Sequence, residues 1–177
     1  MKILHTLAMS VLLLGACNRA PNSSAVSETP EFTRHVEDFV REGSILLAST
    51  DQGVSFSSFA AQLARTTGTF EAIGNKWPVN REPQRQHFSK AVRAWGAAYK
   101  VWEYKVSGLT ILGDELVYEG RELRLLKEVR SDLEMPSDLP PRGDPTSRLT
   151  TLLQISLKQA AEAFRAGREV VTASPTK

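Results

Sequence analysis

The sequence has one cysteine and three histidines in 177 residues, and no apolar run approaching the length that crosses a bilayer. Each shortage narrows what the chain can do. Without Cys-x-x-Cys-His there is no covalent attachment of a c-type haem. No Gly-x-Ser-x-Gly elbow and no phosphate-cradling glycine-rich loop occurs, which removes the common hydrolase and nucleotide sites. There is no internal repeat. There is also no basic run: 22 Lys and Arg alternate with 20 Asp and Glu. Nucleic-acid binding needs cations concentrated on one face, so nucleic acid is not an expected partner.

What is present begins at the N-terminus. Lys2 is followed by an apolar run, Leu7–Leu14, interrupted only by Ser10, then by Gly15, Ala16 and Cys17. The run is too short for a stable membrane span, which needs about 20 residues, and it has the design of a secretory signal. Leu14-Gly15-Ala16-Cys17 resembles the lipobox of bacterial lipoproteins, a resemblance confined to residues 1–18. It implies cleavage before Cys17, a diacylglyceryl thioether on its sulfur and acylation of the new amino terminus. It also gives the lone cysteine a use, since in an exported chain it would otherwise be a loose thiol. Each buried methylene contributes about 0.8 kcal/mol, and two or more acyl chains make attachment firm. Asn18 follows the cysteine. In enterobacterial lipoproteins an Asp there implies inner-membrane retention, so Asn points to the outer membrane, with the domain facing the periplasm.

Removing residues 1–16 takes away Lys2 and lowers the formal net charge from +2 to +1. The remainder, about 160 residues, is one ordinary domain with room for a core. The apolar content of 41% and charged content of 24% over the full 177-residue chain are globular values. Residues 17–28 carry the lipidated cysteine and a polar leash, Asn18–Glu28, whose root-mean-square reach is about 18 Å. Residues 29–172 are expected to form an all-α bundle of four to five amphipathic helices behind that tether, and residues 173–177 a disordered tail.

The expected centre of the bundle is a helix over Gln84–Val106. Phe88, Val92, Trp95, Tyr99, Trp102 and Val106 step by four and three, a helical stripe that no strand produces. Ala91, Ala94, Ala98 and Val101 form a second, small-residue stripe beside it, so this helix has neighbours on two sides. Thr29-Pro30 is a cap followed by a first-turn proline. It starts a helix with Phe32, Val36, Phe39, Gly43 and Leu46 inward and an end near Ser49, before a turn at Asp51–Gly53. Ser55 caps a second helix, with a seam of Phe56, Phe59, Leu63, Thr66, Phe70 and Ile73 and an end at Gly74-Asn75. Leu112, Leu116, Leu123 and Leu126 favour a helix over Asp114–Leu133. Gly113-Asp114 leaves a small hairpin over Ile111–Tyr118 as the alternative. The proline-rich Glu134–Pro145 is a loop. Asp144-Pro145 starts a last helix with Leu149, Leu153, Leu157, Ala160, Phe164, Gly167 and Val171 inward. Gly43, Gly68, Gly96 and Gly167 fall inside expected helices, where close approach of a neighbour is the expected reason.

Candidate chemistry is thin. Glu31, His35, Asp38 and Glu42 step four, three, four along the first helix, and helical bundles build metal sites from such rows. The row lies one residue behind the core stripe, and no other helix carries Glu-x-x-His. A solvated charged edge is therefore expected, with no metal and no other cofactor; His35, Asp38 and His87 are the residues that would serve as ligands. His87, beside Phe88, reads as a half-buried packing residue. Trp95, Tyr99 and Trp102 read as core before they read as a ligand cavity. Arg142-Gly143-Asp144 spells the tripeptide of integrin ligands, but a turn leading into a helix cap explains it. With no catalytic constellation, an enzyme is not expected. The leading expectation is an envelope-anchored, non-enzymatic module that binds another envelope protein and is tethered to the membrane through Cys17. The alternatives are a small-ligand or metal-binding bundle, using Trp95/Trp102 or the Glu31/His35 edge, and a hydrolase with an unrecognised site.

Overall fold

A computed structural model of the chain describes residues 28–108, 124–125, 128–129, 132–133 and 145–172. Among the described residues it is all-α, with four long helices packed as a bundle. Helix α1 spans Pro30–Asp51 and α2 spans Phe56–Ile73. A 3-10 turn, Val79–Arg81, leads into α3, Glu82–Gly108, and α4 spans Pro145–Thr172.

Local chemistry sets the boundaries. The Thr29 hydroxyl accepts the Phe32 N–H at 3.1 Å, with Pro30 in the first turn where a missing N–H costs nothing. Helix α1 runs two residues past the expected Ser49, because the Gln52 N–H still reaches the Ala48 carbonyl at 3.2 Å. Gly53, at φ 79°, then reverses the chain. Ser55 accepts the Ser58 N–H at 3.2 Å and starts α2, and Gly74, at φ 55°, stops it.

The helices form two closely packed pairs, α1 with α2 and α3 with α4, joined chiefly across α2 and α3. Gln84 of α3 donates to the Gly167 carbonyl of α4 at 3.4 Å, and Lys105 donates to Thr150 at 2.7 Å, so α3 and α4 run antiparallel. All four helices meet at the Phe39 ring. Its centroid lies 5.2 Å from Phe70 on α2, 4.8 Å from Phe88 on α3 and 5.9 Å from Phe164 on α4.

Helix α3 is central, as its two stripes indicate: the small stripe is buried throughout, the bulky one fully only at Phe88 and Trp95. Ala91, Ala94, Ala98 and Val101 are fully enclosed, with Ala97 beside them, whereas Val92, Tyr99 and Trp102 are only half-buried. Small residues let the α4 backbone come close, and Ala160 and Ala163 answer from that side. Val106, expected inward, is 50% exposed. The α2 helix begins at Phe56, and that ring already packs on Tyr99 and Trp102, leaving no α2 side chain to cover the next turn of α3.

Of the helix expected over Asp114–Leu133, residues 124–125 and 128–129 are described and helical, and the Asp132 and Leu133 N–H groups close on the Val129 carbonyl at 3.1 Å. Leu125, Val129 and Leu133, a step of four, reach the core. None of them belongs to the expected stripe, whose Leu123 and Leu126 lie outside the described residues. The hairpin alternative at Ile111–Tyr118, the expected Glu134–Pro145 loop up to Asp144 (Pro145 itself begins α4), the Asp144 cap, the Arg142–Asp144 tripeptide, the side chain of Val171 and everything before Glu28, Cys17 included, also lie outside them.

Two of the four helix-interior glycines have the expected reason. A Cβ on Gly43 would sit 2.5 Å from the Phe164 ring, and one on Gly167 would collide with the Phe88 ring. At Gly68 and Gly96 a Cβ would meet nothing within 4 Å. Close approach therefore explains Gly43 and Gly167 but not the other two, which face open space.

Candidate functional site

The row Glu31, His35, Asp38, Glu42 is present on α1, but its carboxylates are divided among different donors. Glu31 Oε1 receives Lys76 Nζ at 3.0 Å and lies 3.5 Å from His35 Nε2. Lys76 holds the Glu31 carboxyl below its ordinary range. Asp38 pairs with Arg41 at 3.0 Å. Glu42 takes Arg41 Nε at 3.4 Å and the Gln62 amide at 3.0 Å, the same amide also donating to the Glu42 carbonyl. His87 sits half-buried on α3. Among the described residues, no three His, Cys, Asp or Glu side chains gather where one ion could join them.

The aromatic row of α3 splits into two environments. Trp95 is fully buried, its ring 5.4 Å from Phe164, and its indole N–H meets no acceptor among the described residues. Tyr99 and Trp102, one and two turns further on, are half-exposed. Phe56 stacks on Tyr99 at 5.4 Å with 27° between the rings, and Phe59 lies 5.4 Å from Trp102. The Tyr99 hydroxyl donates to Glu103 at 3.0 Å, which raises the pKa of that phenol. These rings and Val106 make an aromatic shoulder at the end of the bundle where α1 finishes and α2 begins.

The opposite end is marked by a charge pair invisible in the sequence. Arg81, on the 3-10 turn, grips Glu28 through two contacts, Nε to Oε1 at 2.6 Å and Nη2 to Oε2 at 3.2 Å. The Arg81 side chain is only 15% exposed. It holds the Glu28 carboxyl below its usual range. This pair ties the chain just before α1 to the α2–α3 connection, 53 residues away in sequence.

A third feature is a cleft of about 300 Å³ between the end of α1 and the middle of α4. Its walls come from residues more than 100 positions apart, so no local pattern announces it. No helix among the described residues is long and apolar enough to cross a membrane. No family model, curated protein or solved structure matches the chain.

Proposed function

We propose that the chain is a lipoprotein of a bacterial envelope, anchored through Cys17, whose helical bundle works by contact with another envelope protein and without catalysing a reaction. The observation that carries this reading is the order of Lys2, the Leu7–Leu14 run, Gly15-Ala16 and Cys17. Asn18 favours the outer membrane. Two features of the fold support the contact role. The Glu28–Arg81 pair fixes where the leash joins the bundle, at the start of α1. The shoulder of Phe56, Tyr99, Trp102 and Val106 lies at the other end of α1, a 22-residue helix about 33 Å long. A leash reaching about 18 Å from the far end of that helix supports a shoulder held out of the lipid and open to a partner. Half-exposed aromatic groups with a polar tip are the surface that protein interfaces favour.

The experiment has two readouts. A clickable fatty acid fed to cells should label the wild type and miss Cys17→Ser; equal labelling overturns the anchor. A photo-crosslinking amino acid at Val106 should give a discrete adduct in intact cells, while the same group at Ala64, on the exposed side of α2, should not. Identical patterns at both positions overturn the contact role of the shoulder.

A further inference from the structure

The cleft between α1 and α4 has a chemistry of its own, independent of anchorage. The two helices touch where the Phe164 ring fills the space beside Gly43. Further along α1 the facing residues are Leu47 and Thr50, opposite Leu157 and Ala161, and between them lies the opening of about 300 Å³. That is the lower end of the range for pockets that hold small molecules. Leu47, Leu157 and Ala161 give it an apolar floor.

Four charged side chains stand around this floor. Lys158 and Glu162 lie 3.9 Å apart on α4 and neutralise one another. The other two, Asp51 at the end of α1 and Arg165 on α4, belong to opposite walls. Neither has a hydrogen-bond or ion-pair partner among the described residues, and they do not pair with each other. Asp51 is also the last residue of α1, whose final turn contains no basic side chain. A carboxylate there adds to the negative end of the helix dipole, an arrangement that favours a cation.

These facts select a ligand class. A simple anion drawn to Arg165 would meet Asp51, and a simple cation drawn to Asp51 would meet Arg165. An uncharged apolar molecule would use the floor alone and gain nothing from either charge. We propose that the cleft binds a small zwitterion with an apolar body, of dipeptide size. Its ammonium group sits at Asp51 and the α1 terminus, its carboxylate on the Arg165 guanidinium, and its side chains on Leu47, Leu157 and Ala161. The guanidinium presents paired N–H donors that match a carboxylate.

The test uses the full chain purified in detergent with methyl-labelled Leu and Ala, titrated with leucyl-leucine while the methyl resonances are followed by NMR. Saturable shifts at Leu47, Leu157 and Ala161 are expected. Asp51→Asn and Arg165→Gln should each weaken binding about tenfold or more, the loss expected when one charge-assisted contact goes. Both residues are exposed, so the variants should melt with the wild type. N-acetyl-leucine amide, which keeps the apolar body and lacks both charges, should not bind. Octanoate measures an anion-only site. Any of four results overturns the proposal: no saturable shift with leucyl-leucine, equal binding of the acetylated amide, unchanged affinity in both variants, or octanoate binding that strengthens in Asp51→Asn.

Discussion

The bundle contains two groups of aromatic rings that share two helices, α2 and α3, and differ in what surrounds them. In the first, Phe39, Phe70, Phe88, Phe164 and Trp95 come from all four helices and are sealed on every side apart from the edge of Phe70. In the second, Phe56, Phe59, Tyr99 and Trp102 come from α2 and α3 alone, and three of the four stay half-exposed. Ring-to-ring distances are much the same in both, 4.8 to 6.0 Å for the contacts of Phe39, Phe56 and Phe59. Contact between rings therefore does not distinguish core from surface. The number of helices contributing to the group does, because each added helix removes one direction from which water can approach.

The largest test of that difference is truncation. Trp95→Ala should cost about 3–5 kcal/mol, the range for emptying a buried aromatic site, a large part of the stability of a domain this size. Trp102→Ala removes the ring pairs with Phe56 and Phe59 from a half-buried site, and about 1–3 kcal/mol is expected from two pairs worth about 0.5–1.5 each. Midpoints of denaturant unfolding read both. Equal midpoints would mean that the two groups are one core.

Glycine substitutions sharpen the comparison at the next level. Gly43→Ala and Gly167→Ala each drive a methyl into a ring of the sealed group, and overpacking of this kind costs about 1–3 kcal/mol. Gly68→Ala and Gly96→Ala meet open space, and removing backbone freedom from the unfolded chain should stabilise by about 0.4–1 kcal/mol. Opposite signs in thermal melting are the expected outcome. A loss of stability at Gly96 would reveal a neighbour packed against it.

The smallest effect concerns the charge pair at the leash. Glu28 has a lowered pKa because Arg81 bonds its carboxylate. A carboxylate lowered in the folded state stabilises above its unfolded pKa, near 4.5 here, and that contribution disappears as pH falls through the folded value. The melting temperature of the wild type should therefore drop more steeply below pH 4.5 than that of Glu28→Gln, and the two should differ most near neutral pH. Parallel curves would show that Glu28 contributes nothing.

Much of this architecture could be read from local pattern. Thr29 and Ser55 cap as their side chains dictate, Gly74 stops α2, and the seam of α2 follows its apolar spacing at Phe59, Leu63, Thr66 and Ile73, with Gln62 buried beside it and Phe56 and Phe70 half-buried. What could not be read depends on where one helix ends relative to another. Val106 continues a helical period without a break, and only the start of α2 at Phe56 leaves it uncovered. Leu125, Val129 and Leu133 compete with Leu123 and Leu126 for the inward face, and local spacing does not choose between the two registers. The α1 row was visible as a charged edge, but Lys76, Gln62 and Arg41, which divide its carboxylates, were not. The cleft at Asp51 and Arg165 requires two helices to be set at a given separation, which no single stretch encodes.

The Gly43–Phe164 contact has a further meaning for how this sequence can vary. Neither residue is constrained alone: a larger residue at 43 is tolerable if the ring at 164 shrinks, and the ring is tolerable only while 43 has no side chain. The same holds for Gly167 and Phe88. Substitutions at such contacting pairs do not add, so each pair behaves as one heritable unit, and a lineage leaving the present combination must pass through a less stable intermediate or change both positions together.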